Sequence, residues 1–251
     1  MQSLLDRRLP LRTRLDLFAA ALRRKRSTSE ELHAVRYGSG RVYLSEADFG
    51  IDRASFTFAV TEGNYATDYA DAVVLDIGSH KGYFAAYAAM HGARAVVAYE
   101  PEAANFTVLE RTAVEYPGWK LHRAAVDAAA GRRDLHVMAD SWGHALQPPA
   151  SFAEHEVGVE SVDVVALAAV LREGESRRAG GGRLVVKLNI EGAECSAVLG
   201  TPPTAWSGVD EVFVETHPWA ECDAGQLAAH LEGSGLSRVP SAHPAVLRMR
   251  R

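Results

Sequence analysis

The chain has 251 residues, of which 47% are hydrophobic, and a net charge of −5 at neutral pH. This is enough for one α/β domain with a sizeable core. No stretch reaches the ~18 uninterrupted apolar residues of a membrane helix, and the charged N-terminus lacks the apolar segment of a signal peptide. We therefore predict a cytoplasmic protein without a membrane span. Cys195 and Cys222 are too few for a disulfide framework and are expected to be ordinary small residues.

Charge is unevenly distributed along the sequence. Residues 1–26 carry eight Arg and Lys against two Asp, a charge of +6, which leaves −11 for the rest of the chain. Proteins that bind nucleic acid need clustered cations on the binding surface. The acidic remainder therefore argues against a nucleic-acid partner.

The N-terminal segment has four apolar residues at helical spacing with arginines between them: Leu11, Leu15, Phe18 and Leu22. This spacing predicts an amphipathic helix over residues 11–26. We expect the helix to pack on the core or to join two copies of the chain in a homodimer. A membrane surface or another anionic partner is the alternative.

The next segment, residues 39–60, alternates apolar and polar residues with glycine breaks, which predicts a small hairpin before the main sheet. We assign residues 1–70 to an N-terminal helix and hairpin extension and residues 71–251 to the main domain. The glycine-rich segment 172–183 is expected to be a solvated connector.

From Asp71 onward, apolar strands alternate with helices. The predicted strands are 73–77, 95–99, 119–126, 133–139, 161–167, 183–190 and 210–216, and the predicted helices are 82–91, 102–116, 192–199 and 224–233. This alternation is typical of a mostly parallel sheet with helices on both faces. We predict a Rossmann-like α/β fold whose last residues add an antiparallel strand at an edge.

The turn after the first of these strands reads Asp76-Ile-Gly78-Ser-His80-Lys-Gly82. In such sheets ligands bind at the carboxyl ends of the strands, and glycines let the backbone approach them closely. A dinucleotide site would have a third glycine where this chain has His80. Glu100 ends the next strand, where a carboxylate can accept hydrogen bonds from both hydroxyls of a ribose. An acid before the turn suits a sulfonium or ammonium group, so the pattern favours S-adenosylmethionine over NAD.

Five segments of the chain, in this order, resemble the FkbM-type methyltransferases: VVLDIGSHKGYF, VVAYEPEAANF, AAVDAAAG, VKLNIEGAE and VFVETH. The resemblance covers about residues 73–235. It implies a seven-stranded Rossmann-like sheet of the class I S-adenosylmethionine-dependent enzymes. It also implies O-methylation of a hydroxyl on a small molecule such as a sugar or a polyketide-type natural product.

The resemblance also implies a set of cofactor-binding residues. Asp76, Gly78 and Gly82 would hold the methionine part, Glu100 the ribose, and Asp127 the adenine amino group, although the family's acid falls one position later, at Ala128. The complete expected set is Asp76, Gly78, Ser79, His80, Gly82, Tyr83, Glu100, Pro101, Asn105, Asp127 and Asn189. The chain departs from the family at Asn189 and Ala168, where Asp is common, and at His80, where Asn is usual. Because a neutral amide is a poor ligand for a hard cation, we expect no metal.

Transfer to an alcohol is helped by a base that takes the hydroxyl proton. His217 is the first candidate because the ordinary pKa of histidine, near 6.5, suits a base at neutral pH. Glu191 and His144 are the other catalytic candidates, although Glu191 also fits a structural role at a helix N-terminus. Lys187, within a buried strand, is expected to pair with Glu215 or Glu191.

The sequence therefore predicts a methyltransferase that acts on a hydroxylated small molecule. Methylation of an amine or a carboxylate, with the same cofactor, is one alternative. An NAD-dependent oxidoreductase is another. A binding module with a degenerate site is the third, suggested by Asn189 and Ala168.

Overall fold

A seven-stranded sheet forms the centre of the protein. The computed structural model describes residues 6–23, 31–178 and 181–251. The helices are α1 (Leu11–Arg23), α2 (Phe49–Val60), α3 (Tyr83–Met90), α4 (Ala103–Ala113), α5 (Leu167–Ser176), α6 (Glu194–Leu199) and α7 (Ala224–Glu232). The strands are β1 (Leu32–Tyr37), β2 (Gly40–Ser45), β3 (Val73–Ile77), β4 (Ala95–Tyr99), β5 (Trp119–His122), β6 (Ala125–Asp127), β7 (Gly131–Met138), β8 (Glu156–Ala166), β9 (Leu184–Leu188), β10 (Glu211–Glu215), β11 (Ser237–Arg238) and β12 (Val246–Arg250).

The strand order of the central sheet is β11-β12-β10-β9-β3-β4-β5. The five strands from β10 to β5 are parallel, whereas β12 runs antiparallel between β10 and β11. The order reverses between β9 and β3, and this is the place where ligands bind in open α/β sheets. The predicted Rossmann-like fold is confirmed, including the antiparallel final strand, which lies next to the edge.

Alternate residues of the buried strands pack on opposite faces of the sheet, as strand geometry requires. Val74, for example, packs with α1 to α4, whereas its neighbours Val73 and Leu75 pack with α5 to α7. Both faces are therefore covered, and the buried strands are mostly apolar. Helix α5 lies partly in the segment predicted as a connector, because Leu167, Val170, Leu171 and Gly174 form a buried face at helical spacing.

A second, three-stranded sheet has the order β6-β8-β7. Sequence analysis predicted 119–126, 133–139 and 161–167 as strands of the main sheet. Only β5 belongs to it, and the chain turns into the smaller sheet after His122. Period-two alternation identifies a strand but not the sheet that it joins.

The N-terminal extension shares the core of the main sheet. β1 and β2 form the hairpin, so it begins earlier than predicted, and residues 49–60 are helix α2. Phe49, Asp52, Phe56 and Ala59 are buried at helical spacing. Helix α1 begins as predicted and is described to Arg23; residues 24–26 of the predicted helix lie outside the described residues. In the part of the chain that the structure describes, no helix is long and apolar enough to cross a membrane.

Candidate active site

The turn between β3 and α3 is tightly packed. The backbone N–H groups of Gly78 and Ser79 both donate to the Tyr99 carbonyl oxygen of β4, at 3.0 and 2.9 Å. Gly78 has a φ of +76°, and a Cβ built on it would lie 1.7 Å from the Asn189 carbonyl oxygen. Glycine is therefore required at position 78 because the loops after β3 and β9 are in contact there. This requirement holds in addition to any close approach of the backbone to a ligand.

Glu100 is buried beside this turn. Its carboxylate accepts backbone hydrogen bonds from His80 at 2.8 Å and from Glu102 at 3.0 Å. Burial raises the pKa of Glu100 to about 8, although the two N–H donors favour the charged form. The carboxylate is held in a fixed orientation at the end of β4, with acceptor lone pairs left for a ligand.

Asp76 is fully buried and forms an ion pair with Lys187, with 3.2 Å between Oδ1 and Nζ. Lys187 also donates to the Gly78 carbonyl oxygen at 2.6 Å. The predicted partners of Lys187, Glu215 and Glu191, were wrong because β3 and β9 are neighbours and place Asp76 directly opposite Lys187. Asp76 therefore acts on the turn through Lys187.

A cavity of about 770 Å³ opens at the carboxyl ends of these strands. Most of the expected cofactor residues line it: Gly78, Ser79, His80, Tyr83, Glu100, Pro101, Asn105 and Asn189. Three of them do not, namely Asp76, Gly82 and Asp127. Gly82 begins α3 with a φ of +88°, where an added Cβ would meet Leu109.

Asp127 lies on β6, in the smaller sheet. It forms an ion pair with Arg133 and accepts a hydrogen bond from Ser196 Oγ at 2.7 Å. These partners, on β7 and α6, hold the carboxylate outside the lining of the cavity. The cavity wall in this region is apolar instead, formed by Ala125, Val126 and Leu135.

The three predicted catalytic residues, His217, Glu191 and His144, all line the cavity. His217 lies between two carboxylates, with Nε2 at 3.4 Å from Glu191 and Nδ1 at 3.2 Å from Glu194. Although burial favours the neutral ring, the two carboxylates raise the pKa of His217 to about 10. A pKa of about 10 favours the protonated ring at neutral pH, which disfavours His217 as the base that its ordinary pKa suggested.

Glu191 and Glu194 have different environments. Burial raises the pKa of Glu191, whose backbone φ of +52° turns the chain after β9. Glu194 accepts hydrogen bonds from the backbone of Ile190 and Gly192, both at 2.9 Å. Glu194 therefore fixes the loop and the imidazolium, which leaves Glu191 facing the cavity. Sequence analysis had no signal for Glu194 as the second partner of His217 except the acid at this position itself.

The two other histidines of the wall are neutral. The Nδ1 atom of His144 accepts the Met138 N–H at 3.0 Å, so its proton lies on Nε2. Burial lowers the pKa of His144 and holds that of His80 well below its usual range. In this arrangement the His144 Nε2 atom lies 3.9 Å from the Glu102 carboxylate, and the occupied Nδ1 atom disfavours His144 as a base.

Helix α2 supplies a wall that sequence analysis missed. The cavity is lined by Arg53, Thr57 and Phe58 of α2 and by Glu62 of the turn after this helix. All four residues belong to the predicted extension, residues 1–70. The Lys81 Nζ atom, buried in the turn after β3, joins this helix to the turn through Asp52 at 2.7 Å. The helical spacing of the buried residues of α2 is the signal that could have revealed it.

Cys195 and Cys222 form a disulfide, so the expectation of two ordinary small residues was wrong. The bond joins the start of α6 to the loop that follows His217 and Trp219, and thus fixes one side of the cavity. Sequence separation, here 27 residues, does not show which cysteines meet in space.

Replacing Cys222 with serine is expected to lower the free energy of unfolding by about 2–4 kcal/mol under oxidising conditions, because the unfolded chain loses a cross-link. Urea unfolding with and without a reductant measures this difference. With reductant, the wild type should fall to the stability of the variant. If both proteins unfold at the same urea concentration without reductant, the bond does not stabilise the fold. In a reducing compartment the pair would be two thiols, and the cytoplasmic location stays a prediction.

No protein-family profile and no curated protein matches the sequence. Solved structures similar to the chain include the methyltransferase FkbM from Methylobacillus flagellatus KT, with 13% identity and a TM-score of 0.49. That similarity covers 81% of this chain but only 53% of the other, so the chain spans about half the length of the FkbM structure. Fibrillarin from Aeropyrum pernix, with natively bound S-adenosyl-L-methionine, has 10% identity and a TM-score of 0.41 over 89% of this chain and 83% of its own. Because these identities and scores are low, the function is inferred from the residues of the site.

Proposed function

We propose that the protein is an S-adenosylmethionine-dependent methyltransferase that methylates a hydroxyl oxygen of a small molecule. The observation that supports this most strongly is the position of Glu100. A buried carboxylate at the end of β4 lines the same cavity as the turn after β3, at the place where the strand order reverses. This is where a nucleoside ligand with a free ribose diol is expected to bind.

The cavity fits such a cofactor. Asn189 Oδ1 and His80 Nδ1 are buried and have no hydrogen-bond partner among the described residues. Buried polar atoms are rarely left unpaired, so these atoms suit a polar ligand. Glu100 would hold the ribose hydroxyls, the wall of Ala125, Val126 and Leu135 the adenine, and Asn189 the amino-acid part. The acidic body of the chain supports a small acceptor over a nucleic acid.

When bound, the cofactor supplies an electrophilic methyl group. An alcohol acceptor must lose its proton on methylation, and we assign Glu191 to take it, since burial raises the pKa of this carboxyl. The neighbouring imidazolium of His217 opposes the effect of burial by favouring the ionised form of Glu191, and it orients the carboxylate. Trp219 and Phe152 pack ring to ring at 5.0 Å on the cavity wall and would exclude water from the acceptor.

An amine acceptor is the second candidate. Glu191 and Glu215 both line the cavity, and their negative charge would attract a cationic amine. A panel of hydroxylated and amino metabolites with labelled cofactor separates the two candidates by the atom that gains the methyl group.

Titration calorimetry with S-adenosylhomocysteine and with NAD tests the cofactor assignment. We expect S-adenosylhomocysteine to bind and NAD not to bind. Above pH 8, where the Glu100 carboxyl is ionised, Glu100→Gln should weaken binding of S-adenosylhomocysteine by about 1–3 kcal/mol, because a charged acceptor is lost. Since the pKa of Glu100 is about 8 and the ionised form accepts both hydroxyls, wild-type affinity should rise from pH 6 to pH 8 and then level off.

The variant Glu100→Gln serves as the control for this pH profile, which should become flat because the titrating group is gone. A wild-type affinity that does not change between pH 6 and pH 8 would contradict the role of Glu100. Binding of NAD in place of S-adenosylhomocysteine would exclude the methyltransferase. Binding of neither ligand would favour a degenerate binding module.

A further inference from the structure

Helix α1 presents a row of large apolar side chains to solvent. The row consists of Leu11, Leu15, Phe18 and Leu22, which are 65%, 54%, 51% and 52% exposed. At about 100° per residue, the four positions fall within a sector of about 60° on the helix surface. Thr13, Leu17 and Ala20, which are buried against the rest of the protein, lie on the opposite side. The core thus takes one face of α1 and leaves the apolar row facing away.

This row has no partner in the part of the chain that the structure describes. Single exposed apolar residues are normal on a protein surface, but a contiguous row on one helix marks a contact site. Helix α1 packs on the core, as predicted, but through residues other than the four of the row. No residue of α1 lines the main cavity, so whatever covers the row is separate from the proposed methyl transfer.

The charged residues beside the row indicate what kind of partner it contacts. Arg12 and Arg23 are exposed on α1 and lie roughly 90–110° from the centre of the row, while Arg7 is exposed just before the helix. These residues belong to the segment of charge +6 in an otherwise acidic chain. Arginines can extend along an apolar face and place their guanidinium groups at its rim. An apolar row bordered by cations is typical of helices that lie in a lipid–water interface.

A second copy of the chain fits the row less well. Two copies of α1 packed through their apolar rows would bring arginines of like charge together. The four side chains also offer a few hundred Å² at most, whereas a standard interface buries about 800 Å² on each partner. An anionic lipid surface provides both an apolar layer for the row and negative charge for the arginines.

We propose that α1 docks the protein on anionic membranes, with its apolar row inserted at the level of the headgroups and Arg12 and Arg23 in contact with lipid phosphates. The helix, 13 residues long, would lie in the plane of the surface and not across it. The docked enzyme would work beside a membrane. Its cavity is formed by elements other than α1.

Flotation of the full chain with vesicles tests this proposal. We expect binding to vesicles of phosphatidylcholine and phosphatidylserine in a ratio of about four to one, and much weaker binding to phosphatidylcholine alone. Added salt should weaken the binding. The double variant Leu15→Gln with Phe18→Gln should lower the partition coefficient roughly 10- to 100-fold, and Arg12→Gln with Arg23→Gln should lower it roughly tenfold or more.

The matched control is Val114→Gln, which changes an apolar residue that is 84% exposed at the end of α4 and should leave partitioning unchanged. All these side chains are exposed, so thermal unfolding should show that each variant folds. The proposal fails if the wild type does not bind the anionic vesicles, or if it binds phosphatidylcholine equally and without salt dependence. It also fails if analytical ultracentrifugation shows a dimer that the Leu15→Gln, Phe18→Gln variant dissociates, because the row would then join two copies.

Discussion

Replacing Gly78 with alanine is expected to lower the free energy of unfolding by roughly 2–5 kcal/mol. The new Cβ would lie 1.7 Å from the Asn189 carbonyl oxygen, and the backbone φ of +76° already disfavours a side chain. The loops after β3 and β9 would have to separate, and both of them line the cavity. Urea unfolding of the variant measures the loss of unfolding free energy. We expect the affinity of the variant for S-adenosylhomocysteine to be lower as well.

Gly63→Ala is a matched control for this substitution. Gly63 has the same φ of +76°, but a Cβ there would meet nothing within 4 Å. The Gly63→Ala variant should therefore lose only the free energy that a positive φ costs an alanine, about 1–2 kcal/mol of unfolding free energy. Equal destabilisation of the two variants would show that contact with Asn189 contributes nothing.

Replacing Glu191 with glutamine is expected to lower kcat by a factor on the order of 10²–10⁴, because the amide cannot accept the acceptor's proton. Affinity for S-adenosylhomocysteine should stay nearly unchanged, since Glu191 is assigned to the acceptor. The rate is measured with the alcohol that the acceptor panel identifies. The acidic limb of the pH–rate profile, which reports the ionisation of Glu191, should disappear in the variant.

Glu221→Gln is the control for this loss of charge. Glu221 is exposed in the loop that follows His217 and does not line the cavity, so its variant should keep the wild-type kcat. A Glu191→Gln enzyme with normal turnover would remove this residue as the base. A rate loss accompanied by an equal loss of cofactor affinity would instead assign Glu191 to binding.

The sequence predicted most of the central sheet correctly, including the ends of β3 and β4. These strands are short, mostly apolar runs bounded by polar residues and glycine, and such runs have few alternative structures. The smaller sheet was not predicted, because the partner of a strand depends on distant residues. Helix α2 was mistaken for part of a hairpin, although its buried residues follow a helical period.

Within the candidate site, local motifs predicted the residues of the turn after β3 and Glu100, since each lies directly at a strand end. They did not predict contacts that depend on strand register or on chain crossing. The pairing of Lys187 with Asp76 follows from the register of β3 and β9, and the pKa of His217 follows from two carboxylates around it. The resemblance implied that Asp127 meets the adenine, but Asp127 ends β6 of the other sheet and does not line the cavity.

The wall that α2 contributes affects how this chain can be altered. A protein shortened at residue 70 would retain every strand of the parallel sheet yet lack the side chains of Arg53, Thr57, Phe58 and Glu62 from the cavity. It would also leave the buried Lys81 ammonium without its Asp52 partner. The boundary between extension and main domain is thus unsuitable for truncation. The same arrangement makes the exchange of a 12-residue helix a route to new acceptor preference, with the carboxylate of Glu100 left untouched.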